Sequence, residues 1–341
     1  MVLIVYDNNQ TIHDTMFAHM PIIQGILYGS TQRGARLDQL CSAIGISIAD
    51  LGDSEYKVPF EKACRTWECC VQQTNDNLLG LHLGEYSTMA VLGLVGNLMQ
   101  SSPNLLAAFE RMTHYIEVAT DMIHFGVKQQ ASEVTLTYQA VPLWISTYPA
   151  GARHSVEQAM AGTLNVFSLL TGKRIKPFRT VFSHTCGGDL SEYQRVFGYD
   201  VQFNGTSNQL VFAKEVLLTP IVSHDKSLFT FFEQILKEKK TYRRQSLTDQ
   251  IKHIIRTSAH RQIPSLEAIA AQLHMTSRTL QRKLAEEGIS FRSITASVQK
   301  EMATELFRIR GNATQVAGML GYSDPSAFRR AFKKWSNVVD A

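Results

Sequence analysis

Residues 323–335 read "SDPSAFRRAFKKW" and combine positive charge with aromatic side chains. The segment contains four cations: Arg329, Arg330, Lys333 and Lys334. Phe328 and Phe332 are four residues apart, so in a helix they lie on one face while the arginines lie on another. The segment therefore predicts a helix that packs through its aromatic face and presents a cationic face. Such a face suits a groove lined with phosphates.

This segment belongs to the second copy of an internal repeat. The sequence "IAAQLHMTSRTLQRKL" from Ile269 aligns with "VAGMLGYSDPSAFRRAF" from Val316. Each copy predicts a short helix with a small alanine, a polar turn, and a second helix that starts at a capping residue. In the second copy either Ser323 or Asp324 can be that cap, and Pro325 suits the first helical position. This is the helix-turn-helix pattern, whose second helix enters the major groove of DNA.

The segment between the copies predicts one long helix. Residues 290–310 read "SFRSITASVQKEMATELFRIR". At about 1.5 Å per residue, about twenty residues span about 30 Å, close to the roughly 34 Å of one duplex turn. We therefore expect the two second helices to occupy successive major grooves on one face of the duplex. A short three-helix core would use the same alanine and turn, but two copies in a basic segment favour DNA binding.

The charge of the chain is divided unevenly. Of the 341 residues, those from 237 onward include 19 Lys/Arg against 9 Asp/Glu, a net charge of +10. The preceding 236 residues include 15 Lys/Arg against 21 Asp/Glu, a net charge of −6. This asymmetry predicts an acidic body joined to a module that binds a polyanion. The alternative is an ordinary solvated surface.

The first half of the chain predicts a mixed domain. Residues 132–140, 178–185 and 204–215 have strand signals, and Ser102 with Pro103 predicts the start of a helix. After Pro220 the signals become helical. The expected fold class is therefore an α+β N-terminal domain followed by an all-α DNA-binding domain. Its two helix-turn-helix units are joined by a long linker helix. The predicted boundaries are 1–215 for sensing and dimerisation, 216–246 for a connector, and 247–341 for DNA binding, with units at 265–286 and 313–335.

The sequence contains no pattern that indicates catalysis. It has no Gly-rich phosphate loop, no Gly-x-Ser-x-Gly motif and no zinc-ligand spacing around its five cysteines. We therefore expect no enzymatic activity, no cofactor and no metal. The opening "MVLIVYDNNQ" lacks a basic leader, and no stretch has the roughly 20 apolar residues of a membrane span. These features predict a cytoplasmic protein without a membrane partner.

Both halves of the chain resemble one family. "GYSDPSAFRRAFKKW" and "SLEAIAAQLHMTSRTLQRKLAEEGISF" resemble the second and first DNA-binding units of AraC/XylS-type transcriptional regulators. "LGLHLGEYSTMAVLGLVGNLMQSSPNLLAAFERM" and "FGYDVQFNGTSNQLVFAKEVLLTP" resemble the arabinose-binding-type regulatory domain of ornithine-utilisation regulators. The resemblance covers most of residues 20–336.

The resemblance implies specific DNA contacts. Base contacts are expected from Arg278, Thr279, Gln281 and Arg282 in the first unit and from Ser326, Arg329 and Arg330 in the second. Phosphate contacts are expected from Ser277, Lys283, Lys333 and Lys334. The implied partners are double-stranded promoter DNA, RNA polymerase, a second copy of the chain in a homodimer, and a small-molecule effector. The effector classes are an organic acid, an amino acid or a fatty acid.

The sequence departs from the family pattern at two places. Gln299 lies in the linker helix where an arginine is common, so one phosphate or structural contact is expected to be absent. The pattern usually continues past Trp335 through a short closing helix, whereas this sequence ends with "KKWSNVVDA". Either that helix is missing or the second unit is completed differently.

Three functions from different classes follow from these patterns. The first is a ligand-responsive transcription factor, usually an activator in this family. The second is a ligand-independent regulator whose N-terminal half serves only oligomerisation. The third, an enzyme fused to a DNA-binding module, lacks a catalytic motif. The sequence assigns no ligand-binding residues: Trp144, Tyr148, Arg153 and His154 either line a pocket or, as we favour, form core aromatics and a helix start.

Overall fold

A computed structural model of the chain describes residues 16–244, 246–258, 263–273, 275–310, 316–317, 324–330 and 332. The chain divides into two compact units, Met1–Lys240 and Thr241–Ala341. This division falls inside the connector predicted for residues 216–246, whose exact bounds stay a prediction. Among the described residues, no helix is both long enough and apolar enough to span a membrane.

The described part of the N-terminal unit combines helices with two sheets. Its helices are α1 (Met20–Thr31), α2 (Leu37–Ile44), α3 (Phe60–Thr74), α4 (Leu79–Gly84), α5 (Leu94–Ser101), α6 (Leu105–Tyr115), α7 (Pro142–Thr147), α8 (Pro149–Thr171), α9 (Leu190–Phe197) and α10 (Lys214–Leu217). Its strands are β1 (Phe17–His19), β2 (Lys57–Pro59), β3 (Ile123–Gln129), β4 (Glu133–Ala140), β5 (Arg179–Val181), β6 (Val201–Gln202) and β7 (Asn208–Ala213). This composition confirms the α+β class.

The larger sheet has five strands in the order β3-β4-β7-β5-β6. All its neighbouring strands are antiparallel except β5 and β6, which are parallel. In β4, Val134, Leu136 and Tyr138 are buried and alternate with more exposed residues, as a strand with one buried face requires. The strand predicted for residues 132–140 is therefore confirmed, whereas the strand predicted for 178–185 contains only the three residues of β5.

The predicted start of one helix is wrong. Helix α6 begins at Leu105, and its cap is Asn104, whose side-chain oxygen accepts a hydrogen bond from the Ala107 amide at 2.9 Å. Ser102, the predicted cap, instead ends α5 and donates its hydroxyl proton to the Leu98 carbonyl at 2.8 Å. Both residue types favour caps, and the end of α5 decides between them.

The long helix α8 is the centre of the N-terminal unit. It starts with Pro149 in its first turn and ends at Thr171, followed by the cap Gly172, whose φ of +65° gives the left-handed conformation that terminates helices. Helix α4 approaches α8 very closely at Gly80. A Cβ atom at Gly80 would lie 2.0 Å from the His154 carbonyl oxygen, so only glycine permits this contact.

The described part of the C-terminal unit is helical. Helix α11 (Lys226–Arg244) contains the boundary between the units, and four further helices follow: α12 (Leu247–Thr257), α13 (Leu266–Gln272), α14 (Ser277–Glu286) and α15 (Phe291–Arg310). Residues 316–317 and 325–330 are also helical. The linker helix predicted between the two copies is α15.

Helix α15 joins two small hydrophobic cores. Ile294 and Val298 pack into a core with residues of α12, α13 and α14. Ala296 and Ala303 pack into a second core that contains Phe328. Each repeat therefore has its own core, and α15 contributes residues to both.

Candidate nucleic-acid interface and internal cavity

Helix α14 is the second helix of the first repeat copy. The Thr276 hydroxyl caps it by accepting a hydrogen bond from the Thr279 amide at 3.1 Å. Leu280 and Leu284 are four residues apart and almost completely buried, at 0% and 2% exposure. Because these leucines fix the buried face, the opposite face of α14 must point away from the core.

The exposed face of α14 carries the predicted base-contacting residues. Arg278, Gln281 and Arg282 are exposed, whereas Thr279 is half-buried. The Arg282 guanidinium donates to the Glu286 carboxylate at 2.6 Å, and the Thr279 hydroxyl lies 2.9 Å from the hydroxyl of the capping threonine. Arg282 and Thr279 must therefore exchange or share these partners when they contact a base. Ser277 and Lys283, the predicted phosphate contacts, are half-buried on the same helix.

The helix before the turn supports this arrangement. Ser265 caps α13 by accepting a hydrogen bond from the Ala268 amide at 3.2 Å. Ile269 and Ala270 are buried at 0% and 1% exposure, and the Met275 amide donates to the Ala270 carbonyl at 2.9 Å. The small alanine therefore lies in α13 and is hydrogen-bonded to the turn before α14, in agreement with the helix-turn-helix pattern.

The described part of the second copy repeats this construction. Asp324 caps the helix at 325–330, because its two carboxylate oxygens accept hydrogen bonds from the amides of Ser326 at 2.9 Å and Ala327 at 3.1 Å. The hydrogen bond from the Ser326 amide is the main reason that the pKa of Asp324 lies below its ordinary value. Of the two predicted caps, Asp324 takes the role, and Ser323 lies outside the described residues.

The exposed face of this helix is also cationic. Phe328 is buried at 1% exposure, while Ser326, Arg329 and Arg330 are exposed. These three residues occupy the repeat positions that Arg278, Gln281 and Arg282 occupy in α14. The predicted phosphate contacts Lys333 and Lys334, together with Trp335, lie outside the described residues.

The N-terminal unit contains a cavity of about 130 Å³. Trp67 and Trp144 form part of its wall, together with aliphatic and aromatic side chains from α1, α6 and β3. One face of α8 completes it with Ser155, Gln158, Ala159, Gly162, Thr163 and Val166. These positions recur at helical spacing, so a single stripe of α8 faces the cavity.

Of the four residues considered either as pocket lining or as ordinary core, one lines the cavity and three do not. Trp144 lines the cavity and is 2% exposed. His154 is buried and stacks on Trp67 with ring centroids 5.8 Å apart, and Tyr148 is half-buried against the core. Arg153 belongs to an ionic cluster. No sequence pattern indicates Gln158 or Ser155, because only the orientation of α8 brings them to the cavity.

The ionic cluster around Glu157 is distinct from the cavity lining. Glu157 is fully buried and accepts hydrogen bonds from the Arg153 guanidinium at 2.9 Å and from the Tyr193 hydroxyl. Burial acts to raise the pKa of Glu157. The neighbouring His154, Arg153 and Tyr193 more than offset burial, so the pKa lies below its ordinary value. The Glu157 carboxylate therefore holds Arg153 and Tyr193 together inside the unit, and it does not line the cavity.

Two capped helices that expose arginines, each supported by its own small core, define a DNA-binding protein of the helix-turn-helix class. Residues 269–339 match the family described as Helix-turn-helix domain. Residues 34–221, more than half of the chain, match the family described as Arabinose-binding domain of AraC transcription regulator. The chain therefore belongs to the AraC family of transcription regulators, which confirms the resemblance found in its sequence.

Curated relatives agree with this family. The chain is 25% identical over 266 residues to the Ornithine utilization regulator of Pseudomonas aeruginosa, and this alignment covers 76% of each chain. It is 26% identical over 263 residues to the transcriptional regulator VirS of Mycobacterium tuberculosis, again covering 76% of each chain. A shorter match at 39% identity over 72 residues is to the transcriptional regulator SirC of Salmonella typhimurium, covering 21% of this chain and 24% of that relative.

Proposed function

We propose that this protein is a transcriptional activator that reads promoter DNA with both recognition helices, α14 and the helix at 325–330, and responds to a small molecule. The observation that supports this most strongly is the matching exposure of Arg282 and Arg330 at equivalent positions of two capped helices. An exposed arginine on such a helix can place two parallel donors against O6 and N7 of guanine. Each such contact discriminates by about 1–3 kcal/mol.

The remaining predicted contacts complete the interface. Arg278 and Arg329 offer further donors to guanine, and Gln281 can pair with adenine through its amide. Thr279 and Ser326 contribute hydroxyl contacts to bases. Ser277, Lys283, Lys333 and Lys334 contact phosphates, which adds affinity and salt sensitivity without sequence preference.

The N-terminal unit supplies the control in this proposal. Its family, described as the arabinose-binding domain of a transcription regulator, supports an effector site in this unit. The proposed assembly is a homodimer, which contacts RNA polymerase when the effector is bound. The name of one relative, Ornithine utilization regulator, links that protein to a small metabolite. The protein acts in the cytoplasm in this proposal, where promoter DNA and RNA polymerase are present.

The DNA contacts are tested by comparing specific with random DNA. A site is first selected from a random duplex library, and dissociation constants are measured by fluorescence anisotropy at fixed salt. We expect Arg282→Ala and Arg330→Ala each to weaken binding to the selected site about 10- to 100-fold and to weaken binding to random DNA much less. Arg292→Ala is the matched control, since it removes an exposed arginine of α15 that is outside both recognition helices. Equal losses on both DNAs would contradict the proposed base contacts.

A further inference from the structure

We infer that the effector is a small, uncharged and mainly apolar molecule with one hydrogen-bond acceptor, and that it binds in the cavity beside α8. The inference rests on the proposed function and names the ligand class of the N-terminal unit. It departs from the expected organic acids, amino acids and fatty acids, and it also departs from arabinose and ornithine, the compounds named in the descriptions of the matched family and relative.

The lining of the cavity offers no partner to a charged ligand group. None of the described residues that line it is Asp, Glu, Lys, Arg or His. A carboxylate or ammonium group that entered the cavity would lose its hydration without gaining an opposite charge, which is strongly unfavourable. The nearby Arg153 and Glu157 do not relieve this, because they are paired with each other and are not part of the lining.

Most of the hydroxyl groups in the lining are already hydrogen-bonded to the protein. The Thr163 hydroxyl donates to the Ala159 carbonyl at 2.8 Å and accepts from Tyr138 at 2.9 Å. The Thr120 hydroxyl donates to the Phe17 carbonyl and accepts from a backbone amide. A sugar has hydroxyl groups around its ring, and leaving them unpaired in an apolar cavity costs their full desolvation. The cavity therefore does not suit a polyhydroxylated ligand.

Polar groups without a hydrogen-bond partner among the described residues remain on the cavity wall. They are the hydroxyls of Thr88 and Ser155 and the side-chain amide of Gln158, and the last two lie on the cavity face of α8. The Trp144 indole nitrogen also has no partner within the described part of the chain, but it lies beside Gly151, which is outside the cavity lining. The Gln158 amide nitrogen is a donor, so a ligand with an acceptor such as a carbonyl oxygen satisfies it.

The volume limits the size of the ligand. A cavity of about 130 Å³ is comparable to an engineered apolar cavity of about 150 Å³ that stays dry and binds benzene. One aromatic ring, or an aliphatic skeleton of similar size, therefore fills the space. A ring with a carbonyl substituent, such as acetophenone, has both the size and the single acceptor.

The first test uses probes of matched size and different charge. Trp67 and Trp144 are two of the three tryptophans in the chain, so a full-length Trp335→Phe variant reports the cavity through its intrinsic fluorescence. We expect saturable binding of acetophenone, at least 100-fold weaker binding of benzoate, and no response to L-ornithine or L-arabinose. Tighter binding of benzoate, ornithine or arabinose than of acetophenone would overturn the inference.

Variants of the lining locate the site. Ala159→Phe fills the cavity and is expected to abolish acetophenone binding, while Ala150→Phe places the same side chain at an exposed position of α8 and is expected to leave it unchanged. Gln158→Leu keeps a side chain of similar size but removes the amide donor. We expect it to weaken acetophenone at least fivefold and to change the affinity for toluene, which has no acceptor, less than twofold. Equal effects of Gln158→Leu on both probes would overturn the assigned hydrogen bond even if Ala159→Phe failed to fold.

DNA binding by the same preparations separates this inference from the proposed function. If none of the neutral probes binds while the full chain still binds its selected DNA site, the ligand class is wrong and the DNA-binding function stands. If acetophenone binds but selected and random DNA bind equally, the inference about the cavity stands and the proposed sequence-specific function fails.

Discussion

Arg278 and Arg282 lie on an exposed helix face of the C-terminal unit, whereas Trp144 and Gln158 line a cavity inside the N-terminal unit. The first surface offers charge and hydrogen-bond donors in water. The second offers mainly apolar contact together with a few unpaired polar groups. The two regions are therefore expected to respond to different variables: DNA binding to salt and to the loss of an arginine, and ligand binding to shape and to the loss of an apolar contact.

The largest expected difference between the regions comes from removing the core of the second repeat copy. Phe328→Ala deletes a side chain that is 1% exposed and packs against Ala303 and Ala317. Such a deletion typically costs about 3–5 kcal/mol. We expect loss of specific DNA binding, measured by anisotropy, together with unchanged acetophenone binding.

The control for this substitution is Phe231→Ala, because the Phe231 side chain is 57% exposed. Urea unfolding should detect a destabilised transition only for Phe328→Ala. Retention of full specific affinity by Phe328→Ala would show that the second copy does not contribute to recognition.

Salt concentration should affect DNA binding by the C-terminal unit far more than ligand binding by the N-terminal unit. The logarithm of the DNA binding constant falls linearly with the logarithm of salt concentration. The slope is about −0.9 for each phosphate that the protein neutralises. With the three proposed lysine contacts, Lys283, Lys333 and Lys334, affinity should fall about 40-fold between 50 and 200 mM salt. Acetophenone binding should change less than twofold over the same range, since its site has no charged lining among the described residues. A steep salt dependence of ligand binding would contradict an apolar site.

Local patterns were sufficient for the elements whose residues interact along the chain. The linker helix α15 and the strand β4 follow from periodicity, and residue type limited the cap of the second recognition helix to Ser323 or Asp324, because hydrogen bonds in these elements are formed by neighbours in sequence. Ser102 is also a residue type that favours helix caps, but in the structure it follows the last residue of α5 and does not start α6. A single-sequence pattern does not show which of two adjacent helices a polar residue terminates.

The cavity could not be predicted in this way. Its wall combines Ile23, Trp67, Phe125 and Gln158, which are far apart in sequence and belong to four different elements. Each of these residues individually suits an ordinary core. Only tertiary packing leaves space between them, so Trp144 could be considered for a pocket while its unpaired nitrogen could not be foreseen.

A smaller effect is expected from pH, through His19 in the N-terminal unit. Burial lowers the pKa of His19 to about 4, assisted by the charges of Lys57 and Lys239 and opposed by the hydrogen bond to the Ser54 carbonyl and by Glu55. An unfolded histidine titrates near 6.5. As pH falls below that value the unfolded state binds a proton that the folded state does not, so the free energy of unfolding decreases.

Between pH 7 and pH 5.5 this decrease should be about 1 kcal/mol. His19→Gln should remove that part of the pH dependence in urea unfolding, whereas His124→Gln, at an exposed position of β3, should not. An unchanged slope in His19→Gln would show that another group causes the acid sensitivity.

The smallest expected effect concerns the partner of Arg282. Glu286→Gln removes the carboxylate that accepts the Arg282 hydrogen bond and leaves the guanidinium available to DNA. Pairs of this kind on a helix contribute about 0.3–0.5 kcal/mol, so affinity for the selected site should rise about twofold. Glu267→Gln on α13 is the control, because it changes the net charge equally at another exposed position. An equal gain in both variants would indicate a general charge effect.

The most direct measurement is the base preference of the wild type, Arg282→Ala and Arg330→Ala, each determined by selection from a random duplex library. If the two recognition helices enter successive major grooves, each substitution should relax the preference at its own position, and the two positions should be about 10 base pairs apart. Relaxation at one shared position, or unchanged preferences in both variants, would contradict recognition by two helices.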